Sequence, residues 1–356
     1  MDNNTVNIVI NSLTQGGAEK VAINLSEKFS EFKIKNIILL QNNINFYNNK
    51  KNTINLSQKE KSSPIEKILN LYSYFKHERG PIISFSLDLS FYLVFLKKMN
   101  LIDNKIICRF INNPESEVSG SLIKNIKKKL LFYFLKKSDV ILCQSDAMIK
   151  SLIDNYNFPK SKLVRIYNPV LKPELTNLSN RKDNILRLLF VGRLTHQKNL
   201  SHIISIAKEL KKQNKKFLWV ILGNGEEKLI LHDEIKNNNL SKNILLLGPK
   251  NNTDKYYRWA DATTLVSHYE GLPNVLLESI SYGTPCISYD CKTGPSEIIK
   301  ENINGFLIPQ YDILLFAEML NINKLRKLKS SNLYYTIPNF HSDIVIKQYI
   351  SLIKNN

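Results

Sequence analysis

The stretch that most constrains the fold reads Ser-His-Tyr-Glu-Gly-Leu-Pro-Asn-Val-Leu-Leu-Glu-Ser and spans residues 267–279. An apolar run from Ala262 to Val266 precedes it and predicts a buried strand. Gly271 and Pro273 predict a tight loop, and Asn274 to Tyr282 predict a helix. The stretch is therefore a strand, a loop and a helix in succession, which is the unit from which parallel α/β sheets are built.

The helix start in this stretch predicts a site for an anion. With Asn274 as the N-cap, the first backbone N–H groups lack partners inside the helix, and such helix starts bind phosphate. Glu270 lies in the loop and Glu278 about one turn into the helix, so both carboxylates can face one crevice. One carboxylate would then bind sugar hydroxyls and the other ribose hydroxyls of a sugar nucleotide. An equally weighted alternative is a solvated loop glutamate and a glutamate that complements the helix dipole.

Length and composition are typical of a two-domain globular protein. A chain of 356 residues is long for one core, and its 43% hydrophobic residues exclude a disordered chain. The formal net charge of +19 predicts an anionic partner: nucleic acid, an anionic membrane or a phosphorylated ligand. The four cysteines show no CxxC pairing, so we expect neither disulfides nor a metal site, and a reducing cytosol. No signal-peptide pattern and no apolar run of membrane-spanning length is evident.

Predicted strands and helices alternate along the whole chain. This alternation predicts an α/β fold with parallel sheets. The polar segment from Leu171 to Asn184 marks the expected domain boundary. We therefore expect an N-terminal domain over residues 1–172, a second domain over 185–337, and a C-terminal helix within 338–356 that packs back toward the first domain.

Two further loops connect a predicted strand to a predicted helix. Gly16 and Gly17 open the first helix, where a glycine pair lets the backbone approach a phosphate or a sugar ring. A plain strand-to-helix turn explains that pair slightly better. Arg193 and Lys198 follow the predicted strand Leu186–Val191, where two cations could neutralise a diphosphate and stabilise it as it departs. Two solvated surface cations are the commoner explanation of such a pair.

Residues 121–137 predict a basic amphipathic helix. A helix of this composition lies on an anionic bilayer. Alternatively, it is an ordinary surface helix whose apolar side packs on the core. The sequence weights the two interpretations about equally. The lysines expected to meet the membrane are Lys124, Lys127, Lys128 and Lys129.

Four motifs taken together resemble those of the family-4 retaining glycosyltransferases. The resemblance is strong from about 186 to 310, and moderate at Gly16–Glu19 and Asn168–Val170. It implies the GT-B architecture, in which two Rossmann-like domains with parallel sheets face a central cleft. The motifs are Gly192-Arg193-Leu194 with Lys198-Asn199, Gly223-Asn224-Gly225, the pair Glu270 and Glu278, and Gly294-Pro295-Ser296-Glu297.

The resemblance implies a role for each matching residue of the sugar-nucleotide site. Arg193 and Lys198 would hold the diphosphate, Glu270 would bind the transferred sugar, and Glu278 would bind the ribose. Arg193, Lys198 and Glu270 form the expected catalytic set. The remaining expected contacts with the sugar nucleotide are the loop or helix-start residues Gly17, Gly223, Gly271, Leu272, Asn274 and Val275.

The acceptor side of the site departs from the common family pattern. Many members have a histidine on a loop of the first domain, whereas the loop here reads Asn112-Asn113-Pro114. The expected contacts with the acceptor or the transferred sugar are therefore Gly16, Asn112 and Asn113. Because the sequence contains no Asp-x-Asp motif, we expect no metal and no cofactor, with the nucleotide sugar acting as co-substrate.

The implied activity is transfer of a hexose or N-acetylhexosamine from a nucleotide sugar, expected to be UDP-linked, with retention of configuration. A glycan acceptor, polyprenyl-diphosphate-linked or free, is expected in polysaccharide or glycan biosynthesis. The charge and the basic helix predict a cytoplasmic protein, peripheral on the inner face of the plasma membrane. A GT-B UDP-sugar hydrolase or epimerase is an alternative enzyme. A basic nucleic-acid-binding protein is an alternative class, although no recognisable nucleic-acid-binding motif accompanies the dispersed lysines, so nucleic acid is not the expected partner.

Overall fold

The structure is a computed structural model that describes residues 5–14, 16–45, 52–111, 122–173 and 183–354, with the backbone alone for residues 122–125. The chain divides into two compact units, one comprising Met1–Pro169 with Ser342–Asn356 and the other Val170–His341. The second unit extends beyond the expected limits of 185 and 337, and the first part of the first unit ends at Pro169 rather than at 172. The reason is that Val170 already belongs to the second unit, where its N–H donates to the Phe340 carbonyl oxygen at 2.8 Å.

The first unit is built on a seven-stranded parallel sheet. Its strands are β1 (Val6–Ile10), β2 (Asn36–Leu40), β3 (Thr53–Asn55), β4 (Ile82–Ser84), β5 (Ile106–Arg109), β6 (Val140–Cys143) and β7 (Leu163–Arg165). They lie in the order β3-β2-β1-β4-β5-β6-β7. Its first five helices are α1 (Gly17–Glu31), α2 (Pro64–Phe75), α3 (Leu87–Lys98), α4 (Leu122–Leu135) and α5 (Asp146–Tyr156).

The second unit repeats the same construction with a six-stranded parallel sheet. Its strands are β8 (Leu186–Val191), β9 (Phe217–Leu222), β10 (Ile244–Leu246), β11 (Ala262–Leu265), β12 (Cys286–Tyr289) and β13 (Gly305–Ile308), in the order β10-β9-β8-β11-β12-β13. Its helices are α6 (Leu200–Lys212), α7 (Lys228–Asn237), α8 (Asp254–Trp259), α9 (Asn274–Ser281), α10 (Pro295–Ile298), α11 (Ile313–Met319) and α12 (Ile322–Leu328). Two α/β units with parallel sheets are the predicted fold class, which is confirmed.

The last helix, α13 (Ser342–Lys354), belongs to the first unit. It packs against α1, where the rings of Phe29 and Tyr349 meet edge to face with centroids 6.3 Å apart. Lys28 on α1 also forms a salt bridge of 3.1 Å with Asp343. The chain therefore starts and finishes its described part in the same unit. Among the described residues, no helix combines the length and the apolar character needed to cross a bilayer.

The direction of the strands decides where loops can assemble in the second unit. β8 pairs in parallel with both β9 and β11, and β11 with β12. The loops that follow these strands therefore all leave the same, carboxyl edge of the sheet. This is the edge at which open α/β sheets bind ligands.

Burial of the cysteines generates a test of the fold. Cys108, Cys143, Cys286 and Cys291 are free and buried. Burial raises the pKa of Cys108 to about 11, and that of the other three to about 12. Since the thiolate is the reactive form, we expect almost no fast reaction with Ellman's reagent at pH 8 in the native protein and four thiols after denaturation. One thiol reacting natively at the rate of free cysteine, or fewer than four after denaturation, would contradict this.

Candidate active site

A buried ion pair lies at the carboxyl edge of the second sheet. Lys198 lies in the loop after β8, and Glu270 lies in the loop after β11. The Lys198 Nζ lies 2.5 Å from the Glu270 Oε1, and the two residues are 9% and 6% exposed. Because β8 and β11 are adjacent parallel strands, two residues far apart in sequence meet at one point. The structure thus brings together one residue of the predicted basic pair and one of the predicted acidic pair.

The two oxygens of the Glu270 carboxylate have different surroundings. Oε1 accepts a hydrogen bond from Ser267 Oγ at 2.6 Å in addition to the contact with Lys198. Both are short, charge-assisted contacts, which are about twice as strong as those between neutral groups. Among the residues that the structure describes, none donates a hydrogen bond to Oε2. The carboxylate is thus fixed through one oxygen, and its second oxygen is the one that a ligand hydroxyl can reach.

Side chains from neighbouring loops hold the backbone around Glu270. The Gln197 side chain donates to the Tyr269 carbonyl at 2.9 Å, and the Gln197 carbonyl accepts from the His268 N–H at 2.9 Å. Gln310 Nε2 donates to the His268 carbonyl at 2.7 Å. Thr293 Oγ1 donates to the Glu270 carbonyl. The position of the carboxylate is therefore set by loops that follow three different strands, in addition to its own.

The motif Gly223-Asn224-Gly225 packs directly on the loop that carries Arg193. Gly223 has φ +146°, and a Cβ there would lie 1.8 Å from the Gly192 carbonyl oxygen. A Cβ on Gly225 would lie 2.2 Å from the Leu194 carbonyl oxygen. The Leu194 N–H donates to the Asn224 carbonyl at 2.9 Å. These glycines are required because two backbones approach each other without room for a side chain.

The predicted N-cap of α9 is wrong. Pro273 is the N-cap, with extended φ and ψ of −75° and 97°, and Asn274 is the first helical residue. Proline suits this position because its ring already fixes φ near −65°. Gly294, with φ +96°, packs beside it, since a Cβ there would lie 2.6 Å from Pro273 Cδ and 2.7 Å from the Gly271 carbonyl oxygen. Gly294 therefore packs closely against the loop of Gly271, Leu272 and Pro273. This loop leads into Val275 at the helix start.

Glu278 has a partner of its own, separate from the Lys198–Glu270 pair. It is the fifth residue of α9, and its Oε2 accepts a hydrogen bond from the Tyr257 hydroxyl at 3.0 Å. Tyr257 is fully buried, and burial raises the pKa of its phenol well above the ordinary value. The structure therefore shows the two glutamates on the same loop-and-helix segment but with different neighbours. Arg193, two residues beyond β8, is exposed.

Of the four residues of the first unit that are predicted to contact a ligand, two lie at the start of α1 and two lie outside the described residues. Gly16 is the N-cap of α1 and Gly17 is its first residue. The Glu19 carboxylate turns back over this loop, where Oε1 accepts a hydrogen bond from Thr14 Oγ1 at 2.8 Å. A Cβ on Gly16 would lie 2.1 Å from Glu19 Oε2. Asn112 and Asn113 lie outside the described residues, so their predicted contact stays a prediction.

The basic helix α4 presents an apolar outer side. Ile126, Leu130 and Tyr133 are 65%, 52% and 58% exposed. Lys127 and Lys129 are exposed beside them. Lys128 differs, because its Nζ lies 4.8 Å from the centroid of the Tyr156 ring. The side chain of Lys124 is outside the described part.

Sequence reasoning missed the residues that support the two glutamates. Ser267 contacts Glu270 three positions away and stands in the quoted stretch, but a serine in a loop carries no signal of its own. Thr293 and Tyr257 contact the segment from 23 and 21 positions away. Within the described ranges, no three His, Cys, Asp or Glu side chains are grouped so that they could hold a metal ion.

The close approach at Gly225 predicts a large effect of a small substitution. Gly225→Ala should destabilise the second unit, because its Cβ would collide with the backbone oxygen of Leu194. We expect a loss of about 2–3 kcal/mol in the free energy of unfolding, in the range of core overpacking. Gly192→Ala is the matched control, because its Cβ would meet no atom closer than 3.4 Å. Equal unfolding midpoints of the two variants in urea would contradict the close packing of Gly225 against the Leu194 backbone.

Comparison with known proteins places this geometry in a family. Residues 173–332 match the family model described as glycosyl transferases group 1. Over 351 residues the chain is 29% identical to the amylovoran biosynthesis glycosyltransferase AmsD of Erwinia amylovora, covering 95% of this chain and 96% of that protein. It is 30% identical to the N-acetylgalactosamine-N,N'-diacetylbacillosaminyl-diphospho-undecaprenol 4-alpha-N-acetylgalactosaminyltransferase of Campylobacter jejuni, covering 90% and 91% of the two chains.

A solved structure shows the same fold over the whole chain. Anabaena HepE in complex with UDP-glucose superposes with a TM-score of 0.81 at 14% identity, covering 99% of this chain and 100% of that one. This likeness, together with the two parallel-sheet units, is that of the GT-B fold. The chain belongs to the group 1 glycosyltransferases.

Proposed function

We propose that this enzyme transfers a hexose or N-acetylhexosamine from a UDP-sugar to a lipid-linked glycan during polysaccharide assembly, with retention of configuration. The observation that carries the proposal is the Lys198–Glu270 pair, which combines a cation for a diphosphate with a carboxylate for sugar hydroxyls at the carboxyl edge of a parallel sheet. HepE, which has the same fold, was solved with UDP-glucose bound. That complex supports a UDP-sugar as the donor substrate.

In the proposed site each charged group has a task. The diphosphate lies at the start of α9 with Lys198 and Arg193, where N–H groups and cations stabilise the negative charge that develops as UDP departs. Glu270 Oε2 accepts hydrogen bonds from the transferred sugar. The acceptor hydroxyl attacks the anomeric carbon from the face that UDP leaves. The bond from that carbon to the β-phosphate oxygen breaks, and this oxygen takes the proton of the acceptor hydroxyl.

Substitution of Lys198 tests this assignment. Lys198→Ala should lower turnover by about 100- to 1000-fold, the usual cost of removing one charge-stabilising group from an active site. The buried Glu270 would also lose its counter-ion, so unfolding curves must show that the variant is folded at the assay temperature. Lys208→Ala on α6 is the control, because Lys208 is an exposed lysine ten positions along the same segment. Near-normal turnover of a folded Lys198→Ala protein would reject the site.

The acceptor is proposed from the relatives and from the first unit. The Campylobacter relative is named for an undecaprenol diphosphate acceptor, and the Erwinia relative for the biosynthesis of amylovoran. On α4, exposed apolar residues stand beside exposed lysines. That combination lies at the boundary between anionic lipid headgroups and acyl chains. We therefore place the enzyme on the cytoplasmic face of the membrane, where a polyprenyl-linked glycan is within its reach.

Binding to liposomes tests the membrane surface on α4. Replacing Lys127 and Lys129 by serine should weaken binding to vesicles rich in phosphatidylglycerol by about thirtyfold, since each lysine near an anionic surface contributes about 1 kcal/mol. The control replaces Lys208 and Lys212 on α6 by serine, which changes the net charge equally. If both double variants bind the vesicles equally, membrane binding depends on the overall charge of the protein rather than on α4.

A panel of nucleotide sugars tests the reaction itself. UDP release should require both a UDP-sugar and a polyprenyl-diphosphate glycan, and the product linkage should have the α configuration of the donor. Release of free sugar at an equal rate without acceptor would instead indicate the UDP-sugar hydrolase alternative. Conversion to an isomeric UDP-sugar would indicate an epimerase.

A further inference from the structure

Tyr257, which donates a hydrogen bond to Glu278, is held more rigidly than the glutamate itself. Tyr257 lies on α8 and is 0% exposed. It packs in a small apolar cluster with Leu189, Val220 and Leu222 from β8 and β9. Its ring stacks on that of Tyr282, with centroids 5.6 Å apart and planes 9° apart. Thr284 Oγ1 also donates to the Tyr257 carbonyl at 2.6 Å. The phenol is therefore fixed by the sheet on one side and by a stacked ring on the other.

The hydroxyl of Tyr257 acts as a constant hydrogen-bond donor toward Glu278. Burial is the main cause that raises the pKa of this phenol, and the adjacent Glu278 carboxylate raises it further. The phenol therefore keeps its proton throughout the physiological pH range. An ionised carboxylate only accepts hydrogen bonds, and its two oxygens offer about four acceptor positions. A contact of 3.0 Å to Oε2 thus orients the carboxylate while leaving it able to accept from further hydroxyls.

Removing such a contact would cost more than the hydrogen bond alone. Glu278 is partly exposed on α9, and its long side chain has several rotamers in water. A carboxylate that must bind two adjacent hydroxyls in a defined geometry loses that rotamer entropy at each binding event. When a buried tyrosine already fixes one oxygen, this entropy is lost on folding and not on binding, which is the general advantage of a preorganised site.

We infer that Tyr257 is a positioning residue that orients Glu278 and thereby sets the selectivity of the enzyme for a ribonucleotide over a deoxyribonucleotide. The inference rests on the proposed function, in which Glu278 binds the ribose of the UDP-sugar. It adds a residue that does not touch the ligand and acts through another. The phenol donates to Oε2 of Glu278, and the oriented carboxylate accepts from the ribose hydroxyls. The 2′-hydroxyl is the group that distinguishes the two classes of nucleotide.

The test measures a ratio of affinities, which a general loss of structure would not change selectively. Titration calorimetry on the full chain gives the Kd of UDP and of 2′-deoxy-UDP. The wild-type protein should prefer UDP by about tenfold or more, as expected for a hydrogen bond to a charged group. Tyr257→Phe keeps the ring and its packing but removes the hydroxyl. It should reduce this preference by about threefold or more, mainly by weakening the binding of UDP.

Matched variants show whether the effect of Tyr257 on the preference for UDP acts through Glu278. Tyr282→Phe removes the hydroxyl of the stacked partner, which is hydrogen-bonded to Asp254, and should keep the wild-type preference. Glu278→Gln should reduce the preference, and adding Tyr257→Phe to Glu278→Gln should reduce it no further, because both act at one point. If Tyr257→Phe proves unfolded, 3-fluorotyrosine at position 257 is the substitute. It keeps the ring and makes the hydroxyl a stronger donor, so the preference should be retained or increased.

The outcomes separate the inference from the proposed function. Binding of UDP with an unchanged preference in folded Tyr257→Phe would overturn the inference and leave the proposed function standing. A fall in preference with 3-fluorotyrosine, or additive effects in the double variant, would also overturn it. A wild-type protein that binds neither nucleotide would contradict the proposed UDP-sugar site, and the inference would fall with it.

Discussion

The second unit is organised around one electrostatic contact, the ion pair between Lys198 and Glu270. An ion pair that is more than nine-tenths buried gains little net free energy, because desolvation offsets the Coulomb attraction. Its presence therefore has to be explained by what the charges do rather than by stability. Around it, Ser267, Gln197, Gln310 and Thr293 hold the carboxylate and its loop in place. This is the supporting shell that a site needs when one oxygen must stay oriented toward a ligand.

The parallel sheet explains how residues so far apart in sequence become one site. The loops after β8, β9 and β11 leave the same edge because these strands are parallel and adjacent. Gly223 and Gly225 let the first two of these loops pack backbone against backbone, and Gly294 does the same for the loop before α9. The glycines of the motifs are thus structural parts of the site. The charged residues between them carry the chemistry, which is why several weak motifs together identify the family when each alone does not.

Sequence reasoning was strongest where apolar runs are continuous and bounded by polar residues. It predicted β8 with its observed bounds, because buried parallel strands are nearly continuous apolar runs. It missed α11 and α12, which are only seven residues long and give too short a periodicity to recognise. It placed Asn274 at the N-cap, since asparagine is the usual cap, whereas Pro273 holds that position through its fixed φ. The Tyr257–Glu278 contact depends on how α8 and α9 pack, which no local pattern encodes.

A structure of the protein with its sugar nucleotide bound would test the central claim most directly. The account predicts that a UDP-sugar lies at the carboxyl edge of the second sheet, with its diphosphate at Lys198 and the start of α9. A sugar hydroxyl should lie within hydrogen-bond distance of Glu270 Oε2. A nucleotide bound at any other edge of this sheet, with the Lys198–Glu270 pair untouched, would contradict it.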